Sequence, residues 1–227
     1  MVEAAMNFPQ IDATVLPFSS QLDAIRQDLY YCDVNFARGR MRDIGRGMRA
    51  AAYVYLAAAL ERVVADLLTA TLDEVTATSV ELKKVRLSLF SLIQAPHFDS
   101  LQQIRGLKMW TRRSQVFIST DAETPCIFDA ALLPLDGRTI RPEHIDVIWE
   151  VFGFSTPAFP SIVSRLALTE LADTRNSIAH GEDIPARIGG QKSVSEMLSL
   201  IDRIETVVIS IWTAATHYIA NKEYLRA

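Results

Sequence analysis

Apolar residues recur at intervals of three and four along most of the chain, in segments separated by proline and glycine. One such stripe, nearly uninterrupted, covers residues 194–219, and another covers residues 48–75. Positions three and four apart lie on one side of an α-helix, which has about 3.6 residues per turn. The pattern therefore predicts an all-α fold, a helical bundle of four or five main helices.

The spacing of the apolar residues and the breaks between them predict where each helix begins and ends. The expected helices cover residues 19–37, 48–75, 79–93, 142–152, 163–180 and 194–219. Residues 1–18 are expected to form an irregular lead-in, because they contain Pro9 and Pro17, and proline opposes a helix interior.

Residues 95–140 show the least helical pattern. The run VFIST at residues 116–120 is rich in the β-branched and aromatic side chains that are typical of strands. We therefore expect an irregular elaboration, with a short hairpin, on a single domain that covers residues 1–227.

Composition narrows the class of protein. With 227 residues, of which 49% are apolar, the chain can bury the core of one domain. Cys32 and Cys126 stand far apart and form no CxxC spacing, so we expect no disulfide framework, no metal and no cofactor. No apolar run reaches the roughly 18 residues that span a bilayer, and no signal-peptide pattern is present. These features predict a cytoplasmic protein with no membrane partner, and the net charge of −4 requires any nucleic acid to bind at a local basic patch.

Residues 170–182, ELADTRNSIAHGE, place Arg175 and His180 at the end of an apolar helix. Gly181 follows the histidine, and helices commonly end at a glycine because it adopts a left-handed backbone. Five positions correspond to about 500° of rotation and about 7.5 Å along the axis. The two side chains are therefore expected to point roughly 140° apart.

Arg175 and His180 thus belong to different sides of the predicted helix. His180 shares its side with Asp173 and Asn176, whereas Arg175 shares its side with Ala172. One regular helix does not aim both side chains at one atom, so either the last turn is distorted or a second copy of the chain completes a site. The alternative is that the two residues have no catalytic role, because a basic residue in the last turn of a helix ordinarily stabilises the helix.

The run RNSIAHG, residues 175–181, resembles the RNxxxH signature of HEPN domains, the higher-eukaryote and prokaryote nucleotide-binding superfamily. The resemblance is most specific over residues 161–219, and the segment AAALERVVADLL also looks like HEPN sequences from small prokaryotic defence or toxin–antitoxin systems. It implies a bundle that pairs as a homodimer, and a metal-independent endoribonuclease that serves as a toxin or phage-defence effector beside an antitoxin or defence partner. Some members carry a tyrosine two residues after the histidine; Glu182 stands there, so regulation through that tyrosine is not expected.

The resemblance also implies roles for the motif residues. His180 would act as general base or acid near neutral pH, and Arg175 would clamp the phosphate and stabilise the charge of the phosphorane. Asn176 would orient the histidine or the substrate. Attack by the 2′-hydroxyl of the RNA would leave a 2′,3′-cyclic phosphate.

Further residues are candidates for supporting this site. Glu61 interrupts a small apolar face, and it would pair either with Arg175 across the bundle or with a surface cation. Asp173 lies on the same side as His180. The basic residues expected to contact RNA, with Trp110 as a stacking surface, are Arg46, Arg49, Lys108, Arg112 and Arg113. Each basic group also fits an ordinary solvated face, and the chain also fits a non-catalytic helical module that binds RNA, a nucleotide or a protein partner.

Overall fold

The structure, a computed structural model, describes residues 8–36, 38–129, 133–135, 137 and 139–226. Within these residues the fold is all-α, as the apolar spacing predicts. The described helices are α1 Pro9–Phe36, α2 Arg42–Ala77, α3 Leu87–Ile93, α4 Ala95–Gln103, α5 Leu107–Ser119, α6 Pro142–Phe152, α7 Ile162–His180, α8 Pro185–Ile188 and α9 Val194–Ala220. Four of these are long (α1, α2, α7 and α9), in agreement with the prediction of four or five main helices.

Helices α1 and α2 form a long antiparallel hairpin, and α9 packs against both. Arg26 of α1 donates to Asp202 of α9 at 2.8 Å, and Trp212 of α9 donates to Asp12 of α1 at 2.9 Å. The second half of α1 thus meets the beginning of α9, and the beginning of α1 meets the second half of α9. Helix α9 therefore runs antiparallel to α1. Helix α7 then packs against α2 and α9, which completes the bundle.

The stripe predicted for the last helix is the side of α9 that faces the core. Met197, Ile201, Ile204 and Val208 are all essentially inaccessible to solvent. They face a similar stripe on α2 that includes Leu60. Each large side chain buried in this way contributes about 1.5–3 kcal/mol to folding, so helix spacing and tertiary packing agree.

The first helix begins at Pro9, ten residues before the expected start, so the predicted lead-in is wrong for residues 9–18. Residues 1–7 lie outside the described part of the chain. Proline is tolerated at a first helical position because its missing N–H has no intrahelical partner there. Pro17 lies inside the helix, where proline costs about 3 kcal/mol. Burial of Ile11 and Phe18 offsets this cost.

Helix α2 also begins earlier than expected, at Arg42. Its first turns contain arginine and glycine, which weaken the apolar pattern on which the sequence prediction depends. Gly45 lets α2 approach the end of α1 closely, because a Cβ there would lie only 2.8 Å from the Cβ of Phe36. The close contact between the two helix ends therefore extends α2 beyond its apolar stripe.

The segment before α3 is not an α-helix, so the predicted helix over residues 79–93 is correct only from Leu87 onward. Ser79 has a φ of 52°, and extended backbone and a short 3-10 turn follow. Cys126 N donates to Val80 O at 2.7 Å, and Arg226 N donates to Lys84 O at 2.8 Å. These long-range bonds with two distant segments replace the local bonds of a helix.

The hairpin expected within residues 95–140 is wrong for the described residues, where this stretch begins with α4 and α5. Most of the run VFIST belongs to the last turn of α5, and its valine, Val116, is buried. The described residues from 121 to 141 are irregular, apart from one isolated bridge between Glu81 and Pro125. This run therefore forms helix despite its β-like composition, because Val116 packs on the buried side of α5.

None of the helices in the described ranges has an apolar stretch long enough to cross a bilayer. Helix α6 lies beside α7, and Arg165 of α7 forms two hydrogen bonds with Asp146 of α6, at 2.8 and 2.6 Å. This ion pair lowers the pKa of the Asp146 carboxyl. The pair joins α6 to the first half of α7, and the motif lies in the second half of the same helix.

Candidate functional site

Helix α7 begins and ends with well-defined caps. The Ser161 side chain accepts a hydrogen bond from Ser164 N at 3.1 Å, and Gly181 closes the helix with a φ of 65°. His180 is therefore the last residue of the helix, as predicted. Residues 162–180 form one uninterrupted α-helix, so the distorted last turn that would bring Arg175 and His180 together is not observed.

The sides of α7 are those expected from the sequence. Leu168 and Ala172, on the side of Arg175, are completely buried, whereas Asp173 and His180 are exposed. Arg175 therefore points toward the bundle and is half-buried, while His180 points toward solvent. Within one chain the structure does not bring these two side chains together.

Arg175 is held by a hydrogen bond to its neighbour on the helix. Its Nη1 donates to Asn176 Oδ1 at 3.3 Å, and Thr139 Oγ1 donates to the same oxygen at 3.0 Å. Thr139 is 5% exposed, so its hydroxyl has little access to water and depends on this bond. The Asn176 carboxamide thus connects the arginine to the irregular segment before α6.

Glu61 of α2 lies beside Arg175, as the sequence prompted us to consider, but without a direct ion pair in the described part of the chain. Its Oε1 atom is buried and has no hydrogen-bond partner there. Burial raises the pKa of the Glu61 carboxyl, while the Arg175 charge and the nearby Thr139 hydroxyl act in the opposite direction. The carboxylate therefore contributes negative charge next to the arginine at a cost in desolvation.

Asp173 has a different contact from the supporting role expected beside His180. It pairs with Arg141 Nη2 at 2.7 Å. Together with the bond from Thr139 to Asn176, this pair attaches residues 139–141 to α7 at two successive turns. Neither Thr139 nor Arg141 was indicated by the sequence pattern, because a loop residue has no periodicity that would point to a distant helix.

His180 is exposed, and its ring forms no hydrogen bond or ion pair with any residue that the structure describes. A surface groove of about 440 Å³ lies near the end of α7 and is lined by Asp173, Glu182 and Asp183, among others. Two of these carboxylates, those of Asp173 and Asp183, form ion pairs with arginines. The imidazole is therefore open to a ligand, close to a groove that contains acidic residues.

Arg46 and Arg49 lie on α2, away from the polar residues around Arg175. Arg49 Nε donates to Gly189 O at 2.7 Å, and Arg46 pairs with Asp43 at 3.0 Å. Twelve residues separate Arg49 from Glu61 on one helix, which corresponds to about 18 Å along its axis. Arg49 thus links α2 to the end of α8, Arg46 pairs within α2, and the structure places neither arginine beside Arg175.

Lys108, Arg112 and Arg113 lie on α5, which packs against α4. Arg112 donates to Ser100 Oγ at 3.4 Å, and the Arg113 guanidinium lies 5.1 Å from the centre of the Trp110 ring. No hydrogen bond or ion pair joins α5 to α7 within the described ranges. These basic residues therefore form a second surface, separate from the end of α7.

The fold and the site together define a class: a helical-bundle protein with an exposed histidine at one helix end and a partly buried polar network around a neighbouring arginine. Comparisons of the chain with protein-family models, with curated proteins and with solved structures give no match. In the described residues no three His, Cys, Asp or Glu side chains are arranged to hold a metal ion. The chemistry of the site therefore has to be argued from Arg175, Asn176 and His180.

Proposed function

We propose that the protein is a metal-independent endoribonuclease of the HEPN type that acts as a homodimer in the cytoplasm. The observation that carries this proposal is the pair Arg175 and His180 on α7. The histidine is exposed and has no partner in the described residues, and the arginine is ordered by Asn176. A proton-transferring group and a fixed guanidinium are the two groups that cleavage by a 2′-hydroxyl requires.

The reaction proceeds without an external nucleophile. His180 removes the proton from the 2′-hydroxyl, whose oxygen attacks the adjacent phosphorus, and the bond to the 5′-oxygen breaks. The guanidinium of Arg175 stabilises the negative charge that develops on the phosphate oxygens. The products are a 2′,3′-cyclic phosphate and a 5′-hydroxyl; the leaving oxygen takes a proton from solvent, and His180 returns its proton to solvent.

The solvent side of α7 supports a role for a second copy. Ile162 and Leu166 are both more than half exposed, and they lie on the same side of the helix as Asp173 and His180. Exposed apolar side chains that adjoin on one helix face offer a surface for contact with another chain. Contact between two copies along this side would cover the apolar residues and bring residues of the second chain to His180.

A biological setting follows from the same proposal. An RNA-cleaving dimer of this kind fits a toxin or phage-defence effector, and an antitoxin or defence protein would be its regulatory partner. Glu182 follows Gly181, so control would act by covering the site and not by modification of a tyrosine at that position.

The test is cleavage of a 5′-labelled single-stranded RNA in EDTA. We expect wild type to produce 2′,3′-cyclic phosphate ends, and His180→Ala and Arg175→Ala to lower the rate at least about 100-fold, because general acid–base catalysis alone contributes that much. The matched control is His217→Ala, which removes another exposed histidine from the last turn of a helix, α9. Full cleavage by a folded His180→Ala protein would refute the assignment.

The second candidate is a non-catalytic module that binds a protein partner at the end of α7. The observation in its favour is the acidic groove beside His180, lined by Asp173, Glu182 and Asp183, which opposes an RNA backbone. This candidate predicts no RNA cleavage by wild type and unchanged fold in both alanine variants. It also predicts that Asp183→Ala weakens capture of a basic partner protein without affecting RNA.

A further inference from the structure

Helix α5 exposes its apolar side to solvent. Four large side chains lie within about 100° of one another around the helix axis, and the exposed fractions are 86% for Leu107, 62% for Trp110, 74% for Phe117 and 70% for Ile118. Val116, on the opposite side of the helix, is buried against the protein. Helix α5 thus packs against the protein through its less apolar side, whereas an ordinary surface helix buries its more apolar side.

Basic residues border this apolar stripe on both sides. Lys108 lies beyond one edge and Arg113 beyond the other, and Arg113 stacks on the Trp110 ring at 5.1 Å. Residues 100–119 also contain Arg105 and Arg112 and no Asp or Glu, within a chain whose net charge is −4. Such a local excess of positive charge selects a partner that is anionic.

The shape and the charge of this surface distinguish among partners. A second α5 would bring the bordering cations of two copies together, which is unfavourable. An RNA strand would stack on Trp110 and pair with the cations, but it would leave aliphatic Leu107 and Ile118 without a partner. A bilayer of anionic lipids accepts both: apolar side chains enter the acyl boundary, tryptophan lies at the interface, and basic side chains meet lipid phosphates.

We propose that α5 is a membrane-surface anchor that binds anionic phospholipid through Leu107, Trp110, Phe117 and Ile118, with Lys108 and Arg113 at the headgroups. This binding is independent of RNA cleavage. It differs from the sequence-based expectation of no membrane partner, which was derived from the lack of a spanning segment. A helix that lies in the interface needs no spanning segment.

The experiment is co-sedimentation of the full-length protein with vesicles of phosphatidylcholine, alone or with about one third phosphatidylglycerol. Wild type is expected to sediment with the anionic vesicles, and at least several-fold less with the neutral ones or in high salt. The double variant Trp110→Ser/Phe117→Ser should lower the bound fraction about tenfold or more, because it removes two inserted rings. Lys108→Glu/Arg113→Glu should lower it on anionic vesicles only.

The matched control is Leu16→Ser/Val34→Ser, which removes two equally exposed apolar side chains from α1 and should leave vesicle binding unchanged. Circular dichroism of each variant checks that the fold is retained. Equal sedimentation of wild type and Trp110→Ser/Phe117→Ser, or no sedimentation of wild type, overturns the proposal. Loss of binding to oligouridylate in the same variant, without vesicle binding by wild type, would assign the surface to nucleic acid and overturn it as well.

Discussion

At the scale of single residues, Glu61 lies in an unfavourable environment for a carboxylate near the site. Its Oε1 atom is buried without a hydrogen-bond partner in the described residues, and burial raises the pKa of the carboxyl. Arg175 compensates in part, through charge and not through a direct ion pair. A buried carboxylate of this kind costs stability. Such groups commonly act on the charge or the position of a neighbouring side chain. Here the neighbour is the arginine of the motif.

Replacing Glu61 with glutamine should remove a pH-dependent loss of stability. Because the folded-state pKa is raised from the ordinary 4.5, the folded protein binds protons more tightly than the unfolded chain between the two values. The free energy of unfolding of wild type should therefore fall, relative to that of Glu61→Gln, as the pH rises from 4.5 through the folded-state pKa. Urea denaturation of both proteins at about pH 5 and about pH 8 measures this difference.

The control for this measurement is Asp73→Asn, which neutralises an exposed carboxylate on the same helix. Its difference from wild type should not follow the pattern of Glu61→Gln. If Glu61→Gln and wild type differ by the same amount at both pH values, the carboxyl is not desolvated in the folded protein.

At the scale of helices, the contact between α2 and α8 depends on a glycine. A Cβ on Gly189 would collide with the Arg46 carbonyl oxygen and lie 2.7 Å from Ala50 N. Gly189 has a φ of −68° and a ψ of −10°, which any residue adopts, so it is required for packing and not for its backbone conformation. Its carbonyl also accepts the hydrogen bond from Arg49. This contact explains why Arg49, one of the arginines expected to bind RNA, is engaged within the fold.

Gly189→Ala should therefore lower the free energy of unfolding by about 2 kcal/mol or more, because α8 must move away from α2. The matched control is Gly47→Ala on α2, where an added Cβ would meet nothing within 4 Å. There the change should raise the free energy of unfolding by about 0.5–1 kcal/mol, since alanine favours a helix over glycine. Urea denaturation followed by circular dichroism tests both, and equal effects of the two changes would contradict the packing argument.

At the scale of the whole molecule, the orientation of α7 determines how a site could be assembled. Arg175 points into the bundle and His180 points to solvent, about 140° apart around one regular helix. Both groups reach one phosphate only if they come from different chains. The apolar residues Ile162 and Leu166 on the solvent side of α7 provide a surface on which a second chain would pack.

Mixing two inactive variants tests this arrangement directly. A mixed dimer of Arg175→Ala with His180→Ala keeps one Arg175 and one His180. A dimer of either variant alone lacks both copies of one of these residues. Cleavage should therefore reappear on mixing, up to about a quarter of the wild-type rate, because about half of randomly exchanged dimers are mixed and each of these keeps one of its two sites. Co-purification of two differently tagged variants measures the mixed dimers. Mixed dimers without cleavage would exclude a site shared between chains.

The sequence by itself determined the features that depend on local spacing. The helical class, the end of α7 at Gly181 and the divergence of Arg175 from His180 all follow from the number of residues per helical turn. The stripe on α9 was predicted for the same reason, because a helix that buries one side repeats apolar residues at that period.

Only the tertiary structure decided the features that depend on contacts between distant segments. Thr139 bonds to Asn176 across 37 positions, and Gly189 receives Arg49 across 140 positions. The apolar pattern of α5 was visible in the sequence, but whether that side faces the core or solvent depends on where Val116 packs. Local spacing sets which residues share a side of a helix, and the packing of the whole chain determines which side is buried.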